Sequence, residues 1–153
     1  MIAVISLSIS VISLLASLLN YYNYWNLQKK YNDMVKIQTQ AALGALETQI
    51  RTAINDAYDK VLSMGMKLAQ APDNEVFQNA YLAAEEIYLN AYEDACGKYN
   101  DGKIDRERFR LMYFTEIGNL VDREPYNKFY SGSQSKYDAT LKVYNEWYHP
   151  ERN

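Results

Sequence analysis

Hydrophobic and polar positions divide the chain sharply at Lys29. No charged side chain precedes that residue, and every acidic and basic residue lies from it onward. Residues 2–19 consist of Ile, Leu, Val, Ala and Ser, which approaches the roughly 20 mainly apolar residues that a membrane-spanning helix needs. The pattern predicts a transmembrane helix over residues 1–28. Side chains suited to the membrane–water interface follow the apolar stretch: Tyr21, Tyr22, Tyr24, Trp25, Lys29 and Lys30.

Other interpretations of the N-terminal segment fit the pattern less well. A secretory signal peptide has a basic start and a cleavage site of small residues, and neither is present. A helix that lies on a membrane surface has a charged face, which residues 2–19 lack. The absence of any charge over these residues also disfavours a central helix buried in a soluble bundle.

Basic side chains flank the predicted span on one side only, at Lys29, Lys30 and Lys36. Positively charged residues remain on the cytoplasmic side of a span. We therefore expect the N-terminus outside and the rest of the chain in the cytoplasm. The single cysteine, Cys96, agrees with this orientation, because one thiol forms no intrachain disulfide and suits a reducing compartment.

Small polar residues within the predicted span keep a heptad spacing. Serines at such positions let helices approach closely and hydrogen-bond to each other in lipid, so the spacing predicts self-association. The alternative is that each serine is only tolerated, with its hydroxyl bonded to a carbonyl one turn earlier in its own helix. The predicted oligomerisation seam contains Ala3, Ser6, Ser10, Ser13, Ser17 and Asn20.

The remainder of the chain is predicted to be helical, so the fold class is all-α. Apolar residues recur mainly three and four positions apart over 31–69, which predicts a long connecting helix over 29–71 and a coiled coil as a candidate extension of the seam. The segment AQAPDN ends this helix at Pro72. A small cytoplasmic helical bundle is expected over residues 72–153, with helices over about 75–99, 106–122 and after Ser135.

Capping residues mark the starts of the bundle helices. Asp73 or Asn74 can cap the first, and Asp105 the second, after a turn in which Gly102 is free to adopt a positive φ. Ser135 is predicted to open the last helix, with Asp138 at the reciprocal position of a capping box.

The residue types needed for common catalytic and metal sites are missing. Zinc and di-iron sites need several His or Cys ligands, whereas the chain has only His149 and Cys96. The loop around Gly102 lacks the acidic ligands of a calcium site. A Cys96–His149 nucleophile pair lacks a presenting turn and an oxyanion loop, and no glycine-rich phosphate loop occurs. We therefore expect a non-enzymatic protein without metal or cofactor.

Three surface features are candidates for ligand or partner contact. One is a polar ridge along the second predicted helix, one is a set of tyrosines on a face of that helix, and one is a basic run interleaved with acidic residues. Each also has a structural interpretation, as an internal network, a helical core or an ordinary surface. The candidate residues are Glu86, Tyr88, Asn90, Tyr92, Glu93, Arg106 and Arg110.

The combination of one N-terminal span with LNxxExxC (Leu89, Asn90, Glu93, Cys96) and GKIDRERF resembles small uncharacterised bacterial and prophage-borne membrane proteins. The resemblance covers about residues 85–122. It implies location in a bacterial inner membrane, and it implies no activity and no catalytic residue.

Three functional hypotheses follow. The first is a membrane-anchored, self-associating, non-enzymatic helical protein whose cytoplasmic domain binds a partner or senses a signal. The second is a membrane-perturbing effector of the defence or toxin type, triggered through that domain. The third is a nucleotide-binding domain or enzyme that uses Tyr88, Tyr92, Arg106 and Arg110. The expected partners are membrane lipid, a second copy of the chain, another protein and, as a candidate, a small phosphate-bearing ligand; the net charge of -3 disfavours nucleic acid.

Overall fold

A computed structural model describes residues 2–131 and 135–152, with the side chains of all of these except 2–12 and 152. The described residues form four α-helices and no strand, which confirms the all-α prediction. The helices are α1 (Ile2–Gln70), α2 (Glu75–Asn100), α3 (Arg106–Asp122) and α4 (Asp138–Tyr148). Two 3-10 turns, Asn127–Phe129 and Pro150–Arg152, flank α4.

The chain divides into two compact units, Met1–Ala42 and Leu43–Asn153. The described part of the first unit is wholly α-helical and belongs to α1. Among its described side chains, large apolar residues are exposed from Leu14 to Ile37. No helix has an apolar stretch long enough to cross a membrane within the part of the chain whose side chains are described. Residues 2–12 of the predicted span lie outside that part of the chain, so the structure gives the transmembrane helix no support and it remains a prediction.

The second unit packs the C-terminal part of α1 together with α2, α3 and α4 around one core. Helix α1 contributes Ile50 and Ile54, and α2 contributes Leu89, Ala95 and Cys96, which are fully buried. Much of the rest of the core is aromatic, and its rings contact one another edge-on or at a tilt rather than in parallel stacks. This set comprises Tyr92, Tyr99, Phe109, Tyr113 and Trp147.

Two of the predicted helix starts are confirmed, and one is wrong. Asn74 caps α2 by accepting from the N–H groups of Val76 and Phe77, and Asp105 caps α3 by accepting from the Arg108 N–H. Gly102 in the intervening turn has a φ of 68°, as expected of a residue without a Cβ.

Helix α4 does not begin with the predicted capping box. It starts at Asp138, after Tyr137, whose side chain makes no capping bond. The Ser135 hydroxyl instead donates to the Phe129 carbonyl at 3.0 Å and accepts from the Tyr137 N–H at 3.1 Å. Ser135 therefore shapes the preceding loop, because a hydroxyl that bonds local backbone in a turn is no longer placed to cap a helix.

Gly118 allows α4 to approach α3 closely. The Tyr148 hydroxyl donates to the Phe114 carbonyl at 2.9 Å, within the same turn of α3 as Gly118. A Cβ on Gly118 would lie 2.8 Å from Tyr148 Cζ. The Tyr148 ring has little room to move, because it stacks on Phe114 at 4.4 Å and on Tyr144 at 4.9 Å.

We predict that Gly118→Ala destabilises the chain by about 1–3 kcal/mol, because overpacking outweighs the better helix propensity of alanine. Gly97→Ala is the matched control, since a Cβ there meets nothing within 4 Å inside α2. It should stabilise by about 0.5–1 kcal/mol. Urea unfolding of the full-length chain, followed by far-UV circular dichroism, measures both, and equal shifts of the two midpoints would contradict the close contact.

Candidate functional site

Glu93 on α2 supplies the cap that α4 lacks in its own sequence. Its carboxylate accepts from the Ala139 N–H at 2.7 Å, from the Thr140 N–H at 2.9 Å and from the Thr140 hydroxyl at 2.8 Å. The first N–H groups of a helix have no partner within the helix, and the N-terminus carries a partial positive charge. A carboxylate from another helix meets both needs, so the structure places Glu93 in a structural role.

Cys96 lies about one turn further along α2 and is fully buried. Burial raises the pKa of its thiol to about 12, with a smaller raising effect from the Glu93 charge and an opposing hydrogen bond with Thr140. A thiol that remains protonated is a poor nucleophile. His149 contacts the Tyr144 ring at 5.6 Å at the other end of α4, so the described contacts do not join a Cys96–His149 pair.

Arg106 belongs to a second bonded group that ties α3 to α4. Its guanidinium donates to Glu146 at 2.7 Å and lies 4.3 Å from the centroid of the Tyr99 ring. The Tyr99 hydroxyl donates to the other oxygen of Glu146 at 2.7 Å and accepts from the Trp147 indole N–H at 3.0 Å. Burial, above all other causes, raises the pKa of Tyr99.

Most of the other residues in the predicted basic run also have acidic neighbours within the chain. The run comprises Lys98, Lys103, Arg106, Arg108 and Arg110. Arg108 pairs with Glu47 at 3.0 Å, Lys103 pairs with Asp101 at 2.8 Å, and Lys98 pairs with Asp94. The described ion pairs therefore neutralise most of the run internally.

Arg110 lies apart from these pairs. Its guanidinium is 5.6 Å from the Phe114 ring. With Glu107, Leu111 and Thr115 it lines an open groove of about 540 Å³.

The two tyrosines of the predicted face differ in their surroundings: Tyr92 belongs to the core, and Tyr88 lines a surface cleft described below. Tyr92 is buried and contacts the rings of Tyr88 at 5.2 Å and Tyr113 at 6.1 Å. Tyr88 is half-buried and contacts Tyr58 on α1 and Tyr126, which follows α3. Desolvation by burial raises the pKa of both Tyr88 and Tyr92.

The polar ridge on α2 does not form a common site. Glu86 is exposed and pairs with Lys136, Asn90 is exposed, and Glu93 caps α4. The seven candidate contact residues thus lie in separate surroundings, with only Tyr88 and Tyr92 in direct ring contact.

The membrane-interface candidates of α1 are exposed. Tyr21, Tyr22, Tyr24 and Trp25 each expose more than half of their surface. The Lys29 ammonium lies 5.8 Å from the Trp25 ring. Lys30 lines a shallow depression with the exposed residues Tyr24, Leu27, Gln28, Tyr31 and Met34.

The serine seam is described only in part. The Ser17 hydroxyl donates to the Ser13 carbonyl at 2.9 Å within α1. This is the bond expected if a serine is only tolerated in the helix. Asn20 is exposed. The side chains of Ala3, Ser6 and Ser10 lie outside the described residues.

The sequence interpretation missed a cleft in the second unit that combines tyrosine rings with carboxylates. About 280 Å³ in volume, it is lined by Tyr88, Glu116, Asn119, Leu120, Arg123, Glu124 and Tyr126. Glu85, on the neighbouring turn of α2, is buried at 2% exposure. The residue spacing indicates that Glu85 is buried, because position 85 lies four residues after Tyr81 and four before Leu89, on the inward face of α2. Among the described residues, no group of three or more His, Cys, Asp or Glu side chains could hold a metal ion.

We predict that Glu93→Ala destabilises the chain by about 2–3 kcal/mol, because three hydrogen bonds to a carboxylate are lost at a helix N-terminus. Glu93→Gln should fall between this variant and the parent, since one amide oxygen remains as an acceptor. The control is Glu86→Gln, which removes the charge from an exposed pair and should leave the unfolding midpoint nearly unchanged. Urea unfolding decides, and an equal effect of Glu86→Gln and Glu93→Ala would refute the cap.

Comparisons with protein-family models, with curated proteins and with solved structures find no match to this chain.

Proposed function

We propose that the chain is a membrane-anchored, self-associating, non-enzymatic helical protein. Its N-terminal segment inserts in a bacterial inner membrane with the N-terminus outside. Its C-terminal bundle lies in the cytoplasm and binds a partner protein or senses a signal.

The observation that carries the proposal is the sustained apolar character of the N-terminal part of α1. Residues 2–19 have no charge, and Leu14 and Leu18 within them are exposed. Exposed apolar side chains continue beyond residue 19 at Trp25, Met34 and Ile37. Contiguous exposed apolar surface usually marks a contact with lipid or with another protein. A span followed by a helix that pairs with a second copy would cover both parts.

The internal use of polar groups in the bundle supports a non-enzymatic role. Glu93 caps α4, Arg106 pairs with Glu146, and Cys96 is a buried protonated thiol. These three residues have structural tasks, as expected of a binding or scaffolding domain.

A charge within the span tests the membrane anchor. We predict that Val11→Arg reduces retention of the chain in alkaline-washed bacterial membranes, because an arginine near the centre of a span costs about 2.5–3.5 kcal/mol. Val35→Arg places the same charge beyond the span and should be retained like the parent. Loss of the parent chain from washed membranes, or equal retention of both variants, would overturn the anchor.

Leucine substitutions test the seam. We predict that Ser10→Leu combined with Ser13→Leu lowers the mass of the full-length chain in mild detergent, because each interhelical hydrogen bond contributes roughly 0.6–2 kcal/mol. Ser8→Leu changes a serine outside the seam and should leave the mass unchanged. Light scattering after size-exclusion chromatography measures the mass. A monomeric parent chain, or an oligomer that is indifferent to the double variant, would show that the serines are only tolerated.

A further inference from the structure

The heptad spacing of the predicted serine seam continues along α1 beyond the uncharged segment. Tyr24 lies four positions after Asn20, the last residue of the seam, and steps of three, four and three follow. The residues at these positions are Tyr24, Leu27, Tyr31 and Met34, here called the coil face. The heptad positions therefore remain free of charge as far as Met34, although charged residues begin at Lys29.

The coil face is exposed and surrounds a depression. Each of its four side chains exposes more than half of its surface. Together with Gln28 and Lys30 they line the shallow depression described above. The Gln28 amide donates to the Tyr24 hydroxyl at 3.1 Å, which orients one wall of the depression. Exposed apolar surface of this kind usually marks a contact with another molecule.

The lining of the depression corresponds to two neighbouring holes of a parallel coiled coil. In such a coil each apolar side chain of one helix inserts between four residues of the other helix. Leu27 of a second copy would insert between Tyr24, Leu27, Gln28 and Tyr31. Tyr31 of a second copy would insert between Leu27, Lys30, Tyr31 and Met34. These two sets together are the residues that line the depression.

The charges around the coil face are complementary to a second copy. The insertion of Tyr31 places its ring beside Lys30 of the other copy, and an ammonium group is attracted to the face of an aromatic ring. The other charged residues of this stretch, Lys29, Asp33 and Lys36, fall at heptad positions on the outer side of the helix. Like charges are therefore kept apart when two copies pair through this face.

The heptad register divides the aromatic residues at the predicted membrane interface between two surroundings. Tyr24 belongs to the coil face, whereas Tyr21, Tyr22 and Trp25 lie at other positions and suit the headgroup zone. Tyr22 exposes 59% of its surface and Tyr24 exposes 61%, so exposure does not distinguish them. Their positions in the heptad do, which makes Tyr22 a matched control for Tyr24.

We propose that Tyr24, Leu27, Tyr31 and Met34 form an interface with a second copy of the chain, parallel and in register. This interface rests on the self-association proposed above and extends it from the serines to a coiled coil that follows the apolar segment. The direction is parallel because both copies insert their N-terminal segments into the same membrane with the same orientation. Leu27 then packs against Leu27 of the other copy, and Tyr31 against Tyr31.

Cysteine crosslinking of the full-length chain in washed bacterial membranes tests the interface. Copper phenanthroline is the oxidant, and non-reducing electrophoresis measures the disulfide-linked dimer. We expect Leu27→Cys and Tyr31→Cys to form dimers, because a disulfide needs Cα atoms about 4.4–6.8 Å apart. Lys29→Cys, on the outer side of the helix, should remain at the level of the parent, whose Cys96 is buried. Ser13→Cys reports on the serine seam independently.

The crosslinking pattern separates failure of the coil face from failure of self-association. Dimers of Ser13→Cys without dimers of Leu27→Cys or Tyr31→Cys would overturn the coil face and leave it to lipid or to another protein. Absence of dimers at all three positions would overturn self-association itself. Stronger crosslinking between Leu27→Cys and Tyr31→Cys chains than within either would indicate antiparallel helices and overturn the register. Dimers at Leu27 and Tyr31 alone would support the coil face without the seam.

Alanine substitutions measure the contribution of the coil face to association. Tyr24→Ala should weaken the association of the full-length chain in mild detergent at least about tenfold, because a tyrosine at the centre of an interface contributes strongly. Tyr22→Ala should change it less than about twofold. Light scattering over a dilution series gives both values, and circular dichroism checks that helix content is retained. Equal effects of the two substitutions would contradict the register.

Discussion

The packing of the bundle depends on a carboxylate of α2 that caps α4. Helix α4 has 11 residues and no side-chain cap of its own. Helices of that length are marginal in water without tertiary support. Glu93 satisfies its first N–H groups and so sets the rotation at which α4 docks. That rotation brings Val143 and Trp147 into the core and the Trp147 N–H to the Tyr99 hydroxyl.

Tyrosine suits this small bundle because it joins a large apolar ring to a polar end. The hydroxyls of Tyr99, Tyr144 and Tyr148 bond to Glu146, Asp122 and the Phe114 carbonyl, so aromatic surface is buried while each polar end finds a partner. The close approach of α4 to α3 at Gly118 has the same basis, because it lets the Tyr148 hydroxyl of α4 bond to the backbone of α3.

The polar groups of the second unit fall into two kinds with different consequences. Glu93 and Arg106 make hydrogen bonds that hold helices together. Glu85 is buried and takes part in none of the described ion pairs. The first unit differs from the second because it exposes large apolar side chains along α1.

The sequence by itself determined the helical class, the stop before Pro72, the caps at Asn74 and Asp105 and the turn at Gly102, because each depends on a few neighbouring residues. The sequence also shows an uncharged N-terminal segment. The hypotheses of a transmembrane helix and of a serine seam rest on the composition and the residue spacing of that segment. Only the tertiary structure decided the cap of α4 and the separation of Tyr92 from Arg106. These features depend on which helix faces lie against each other. Local spacing favoured Ser135 as a cap, whereas packing brought a carboxylate from 46 residues away to that helix end, and no pattern within a single segment encodes such a contact.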